Sequence, residues 1–168
     1  TSTQSIGIVL NNKITAKNGT VELTGTGGNN SGISITGGST VTPVGIEAAS
    51  YKVNGISTAS NGVYLDGTAS FTSTDTTQES VIDGKGSRGV YIYRGALTID
   101  SGNGKATMKG SAGGVGLGSV EGPTINTKGD VTIGSHDSNA RLAIQRAKIS
   151  AETSIGLLSP ATVLSLSI

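Results

Sequence analysis

The 168-residue chain contains no cysteine, which removes disulfides and thiolate metal sites. A chain without disulfides is compatible with secretion by a route in which early disulfide closure would hinder passage. It also has no tryptophan, one phenylalanine and four tyrosines, so the expected core is a narrow one with little room for large rings. Charged residues make up 14% and the formal net charge is +1. No strong basic footprint exists, and nucleic acid is not an expected partner. Thr1 opens no charged-then-apolar leader, and no apolar run reaches the roughly 18 residues of a spanning helix, so the chain is not expected to cross a membrane. The single histidine, His136, has no second His or Cys to share a metal, and no cofactor is expected.

Against these absences stands a repeat. A glycine next to a short aliphatic pair recurs at Gly7-Ile8-Val9-Leu10, Gly32-Ile33-Ser34-Ile35, Gly62-Val63-Tyr64-Leu65, Gly89-Val90-Tyr91-Ile92 and Gly114-Val115-Gly116-Leu117. Taken at Gly7, Gly32, Gly62, Gly89 and Gly116, the spacings are 25, 30, 27 and 27 residues, and a degenerate sixth copy begins at Arg141. A period in this range marks a solenoid.

Within each repeat, apolar and polar residues alternate over three to five positions and stop at Gly, Asn, Ser or Thr, the mark of short strands bounded by turns. The first repeat reads Ile8 and Leu10, Ile14 and Ala16, Val21 and Leu23; the fourth reads Val90 and Ile92, Leu97 and Ile99, Ala106 and Met108. Three strands per period in similar phase stack like residues over one another if the chain winds as a coil. The expected fold is all-β, a parallel β-helix of about six coils of three strands. At about 4.8 Å per coil it makes a rod of about 29 Å. The 27 glycines read mostly as corner residues.

Residues 36–60 lack clean alternation and residues 72–80 are a polar run, so both are expected to protrude as loops. Residues 157–168 read as a last, partial coil. Neither end carries a natural cap, so residues 1–168 are expected to be a single β-helix segment of a longer protein.

The stretch Gly7 to Gly28, with Gly95 to Gly104 and Lys128 to Ser135, resembles the repeats of filamentous-haemagglutinin-like exoproteins, large bacterial surface proteins exported through an outer-membrane partner pore. The resemblance covers most of the chain, weakly over 36–60, and Arg88 to Arg94 departs from it by carrying two tyrosines. It implies a right-handed β-helix serving in a secreted or cell-surface fibre. That fibre would act in adhesion to a host-cell glycan or protein receptor or a neighbouring bacterial cell, or as the stalk of a contact-dependent growth-inhibition toxin. An outer-membrane transporter is the implied partner during export. No catalytic residues carry over.

Several motifs compete with plainer explanations. Gly84-Lys85-Gly86-Ser87-Arg88-Gly89 matches a dinucleotide fingerprint, yet a strand pattern follows where a helix is required. His136 with Asp137 and Arg141 sits in turn composition. Asn18 and Asn29 fit the N-glycosylation pattern, where chance matches are expected in so Asn-rich and Thr-rich a chain. A polysaccharide-degrading β-helix enzyme needs carboxylates gathered on one face. The acids here are scattered, and Asp66 and Asp83 near Arg88 are the best grouping, so no enzyme is expected.

The candidate binding face comprises Tyr64, Tyr91, Tyr93 and Arg94. If Val63 stacks on Val90, Tyr64 and Tyr91 project outward from adjacent coils, suited to stacking on sugar rings or anchoring a protein partner. The plainer explanation is a cross-strand aromatic pair that stiffens the face.

Overall fold

The computed structural model describes residues 5–112, 115–117, 123–134, 142–144, 148–151, 154–157 and 161–163. Among them there is no helix, hence none long and apolar enough to cross a membrane, and every strand pairing is parallel. The first turn holds β1 (Ile8–Leu10) and β2 (Lys13–Gly27), and the second holds β3 (Ile33–Gly37) and β4 (Val44–Ser57). The third holds β5 (Asn61–Gly67), β6 (Ala69–Ser73) and β7 (Ser80–Gly86), and the fourth β8 (Arg88–Arg94) and β9 (Ala96–Ala112). Further rungs follow as β10 (Val115–Leu117), β11 (Thr124–Gly134), β12 (Leu142–Ile144), β13 (Lys148–Ala151), β14 (Ser154–Leu157) and β15 (Ala161–Val163).

One sheet runs β1-β3-β5-β8-β10-β12-β15; the other runs β13-β11-β9-β6-β4-β2, with β7 and β14 paired alongside. Long strands of the second sheet turn a corner midway, so β2, β4 and β9 each supply two faces of a coil, which in the third turn are the separate strands β6 and β7. The chain is thus a parallel β-solenoid of about four turns, where six coils were expected. The four turns from β1 to β9 are continuous, and beyond them every strand but β11 is three or four residues long.

The core is built of columns. Ile8, Ile33, Val63, Val90 and Val115 stand in register, and so do Leu10, Ile35, Leu65 and Ile92 two positions on. On the second sheet Ile14, Ile46, Phe71 and Ile99 form a column, as do Leu23, Val53, Ile82, Met108 and Ile133. Each fully buried Val, Ile or Leu contributes about 1.5–3 kcal/mol before entropy is subtracted. Gly116 pairs with Tyr91, so it is not the counterpart of Gly89; Val115 is the residue opposite Val90.

Two expectations are corrected. The loop assigned to 36–60 is largely β4, whose apolar residues fail to alternate because the strand turns a corner inside itself. Val44, Ile46 and Ala48 are buried before the corner, Tyr51 and Val53 after it, and the inward parity switches between them. The core also accepts large rings: Tyr51 and Phe71 are buried, with centroids 5.5 Å apart. Small neighbours flank both rings: Tyr51 adjoins Ser80 of the next coil, and Phe71, stacked between Ile46 and Ile99, has Ala69 and Ser73 on either side in its own strand.

Residues 74–79 connect β6 to β7 and are mostly exposed. The amides of Thr74 and Asp75 both donate to the Ala49 carbonyl, and the Asp75 carboxylate accepts from the Thr77 amide and hydroxyl at 2.7 Å each. These bonds, the Thr77 hydroxyl first, hold the Asp75 carboxyl below its usual range.

Candidate functional site

In a strand, neighbours of an inward residue face outward. Val63 and Val90 are inward and paired, so Tyr64 and Tyr91, one position on, lie side by side on the outside of adjacent coils. The ladder slips after Leu65: Ile92 pairs with Leu65 but Arg94 pairs with Asp66, leaving Tyr93 as the extra residue of a bulge. Bulges re-aim side chains, and this one brings Tyr93 into the same cluster. The three rings form a near-equilateral triangle, with centroids 6.2 Å apart for Tyr64–Tyr91 and 6.3 Å for each of the other pairs.

Two arginines frame the rings. The Arg94 Nε donates to Asp66 Oδ1 at 2.5 Å, and its guanidinium lies 5.6 Å from the Tyr93 centroid. The Arg88 guanidinium sits 4.4 Å above Tyr91. Tyr93 is 37% exposed, and Tyr64 and Tyr91 are half-buried. Partial burial pushes the Tyr64 hydroxyl up from its usual pKa; Asp66 and the neighbouring tyrosines add to the rise and Arg94 opposes it. At neutral pH Tyr64 therefore remains a hydrogen-bond donor.

Beside Tyr64 lies a depression of about 250 Å³ lined by Ile6, Asn30, Ser31, Ser34, Ser60 and Asn61. Its origin is a change in size along one column: Ser34 is the residue paired with Tyr64, and the small side chain leaves space against the large one. All four residues expected on the binding face come together. Arg88 and Asn61, paired across the same ladder, are additional members. They sit two positions before the inward valines, so the repeat alignment itself was the signal that locates them.

The other motifs disperse. Asp66 and Asp83 fall on different sheets, Asp66 bonded to Arg94 and Asp83 bridged to Lys109 at 3.5 Å. The Gly84–Gly89 run is the corner between β7 and β8, strand to strand. Asn18 is exposed in a three-residue bulge of β2. Asn29 is exposed, while Ser31 of its motif is buried. His136, Asp137 and Arg141 lie outside the described residues. No group of three or more His, Cys, Asp or Glu positioned to hold a metal occurs among the described residues. A larger depression, about 370 Å³, lies by the 74–79 loop; its lining includes Glu79, Lys105 and Asp130 but no aromatic residue. Compared with known family models, curated proteins and solved structures, the chain matches none.

Proposed function

We propose that this chain is a structural and adhesive segment of a secreted bacterial surface exoprotein, attaching through its tyrosine face to host cells or to neighbouring bacteria. The observation that carries the reading is the tyrosine cluster. A chain with 3% aromatic residues keeps three of its five rings together on the outside of one sheet. Exposed aromatic clusters edged by arginine are the surfaces on which partners anchor. The parallel stack supports the reading mechanically, because each coil is tied to the next by parallel backbone ladders. The work is non-catalytic in this proposal: the two acids nearest to forming a pair are held by separate cations. Passage through an outer-membrane transporter, without disulfides, belongs to the same proposal.

A second reading, the stalk of a contact-dependent growth-inhibition toxin with no receptor of its own, is favoured by one observation. The rings pack on one another and under two arginines, which also stiffens the face. Labelled protein added to cultured epithelial cells and to bacterial cells separates the two. Adhesion predicts saturable binding that falls at least about tenfold in a Tyr64→Ser, Tyr91→Ser variant of unchanged melting temperature. Binding unaltered by the substitutions, or absent from the start, rejects the adhesive role of this face.

A further inference from the structure

We infer that the tyrosine face and the depression beside it form a binding site for an acidic saccharide, with Arg88 receiving the anionic group. The inference rests on the adhesive reading and names the ligand chemistry of that site.

The argument begins with charge. Among the described residues five ion pairs join side chains of neighbouring coils, and they engage Lys13, Lys17, Lys52, Lys109 and Arg94, Glu47 serving both Lys13 and Lys17. Arg88 belongs to none of them. Its guanidinium is exposed, spread over the Tyr91 ring, and meets no carboxylate within ion-pair distance among the described residues. Lys85, at the same corner, is likewise exposed and without an ion pair among the described residues. The two arginines of the face therefore differ in kind. Arg94 is spent on Asp66, whereas Arg88 presents a planar, pre-oriented fork of donors matched to a carboxylate or a sulfate.

The rest of the site has the chemistry of a sugar. Tyr64, which lines the depression, offers its ring to the apolar side of a pyranose, while Tyr91 packs beside it and carries Arg88 over its own ring. Asn61, Ser34 and Ser60, which line the depression, offer both donors and acceptors, as a polyhydroxylated ligand requires. At about 250 Å³ the depression is smaller than the roughly 300–1,000 Å³ of drug-sized pockets, which suits a single ring. Asn61 and Arg88 face one another across adjacent coils, so a linear saccharide laid along the axis meets the depression first and the cation next. An apolar protein anchor would leave these amides, hydroxyls and the guanidinium unpaired, at a cost for each.

The test uses the full 168-residue chain and three hexasaccharide probes: hyaluronan, carrying carboxylates; chondroitin sulfate, carrying sulfates as well; and neutral chitohexaose. Binding by titration calorimetry is expected for one or both acidic probes, and their relative affinity distinguishes carboxylate from sulfate as the favoured anion. Chitohexaose is expected to bind about tenfold more weakly. Arg88→Gln should bring the acidic probes down to the neutral level, and raising salt from about 50 to 300 mM should weaken them as well. Tyr64→Ser, Tyr91→Ser should abolish binding of every probe, while the Phe variants at both positions retain it. Equal affinity for chitohexaose, or indifference to Arg88→Gln, overturns the assignment of an acidic ligand. Cell attachment that persists without binding of any saccharide overturns the inference and leaves the adhesive reading standing. Saccharide binding without cell attachment supports the inference and removes the adhesive role.

Discussion

Tyr51 is a residue whose two ends have different fates. Its ring packs against Phe71, and its hydroxyl is buried with no hydrogen-bond partner among the described residues. Burial first, and then the charge of Asp100, push its pKa well above the ordinary tyrosine value. The folded state thus favours the neutral phenol. The resulting stability is complete below the unfolded value near 10 and is lost as pH rises toward the higher folded value. Tyr51→Phe is expected to stabilise the chain by about 1 kcal/mol, because a desolvated donor disappears and the ring stays. Thermal melts at about pH 7 and 11 check both parts: the variant should melt higher at the first and lose less stability at the second. A lower melting point at neutral pH would mean that the hydroxyl is satisfied. Residue type alone does not separate Tyr51 from the outward tyrosines. Its direction depends on which side of the β4 corner it stands, and a corner inside a continuous strand leaves no mark of Gly or Pro. Phe71 is the core counterpart, and Phe71→Ala should cost about 3–5 kcal/mol in denaturant melts.

The elements owe their arrangement to corners more than to strands. Where β4 and β7 cross the starts of β5 and β8, backbones approach so closely that only hydrogen fits: a Cβ on Gly62 would overlap the Lys85 amide nitrogen. At Gly67, the last residue of β5, φ is 130°, a region that L side chains rarely adopt. Gly19 in the β2 bulge is different, with open space around its Cβ position. Gly62→Ala is therefore expected to destabilise the chain by more than about 3 kcal/mol or to prevent folding, whereas Gly19→Ala stays within about 0.5 kcal/mol or is slightly stabilising. Urea melts of the two variants measure the contrast, and equal effects would refute the close approach. Glycine richness was legible as corners, but not which glycine bears on which backbone. The bulge that delivers Tyr93 was illegible for a similar reason, since the extra residue shows only when β8 is set against β5. Between strands, opposite charges meet across coils, as with Glu22 and Lys52 at 3.7 Å. Both are exposed, so Glu22→Lys should cost about 0.2–1 kcal/mol, and less in high salt.

For the whole molecule, stability is a sum over neighbouring coils, because each turn contacts mainly the turns beside it. Strands with partners on both sides should open least. Amide exchange is expected to be slowest in β4, β5 and β8, each flanked by a ladder on either side, and faster in β1, which among the described residues pairs with β3 alone. Uniform exchange across these strands, measured by mass spectrometry, would contradict a stack that opens from its flank. The periodic Val, Ile and Leu residues were enough to specify a parallel coil and the outward neighbourhood of Tyr64 and Tyr91, since alternation within a strand and a fixed period between strands are both one-dimensional properties. Ile8, Ile33, Val63 and Val90 form one column in the folded chain, as their spacing implies. The depression under Ser34, the split of roles between Arg88 and Arg94, and the burial of Tyr51 arise only when coils are laid on one another. Each depends on the size or charge of the residue one coil away, some 25 to 30 positions along the chain, and that partner is chosen by register, bulges and corners that local sequence does not encode.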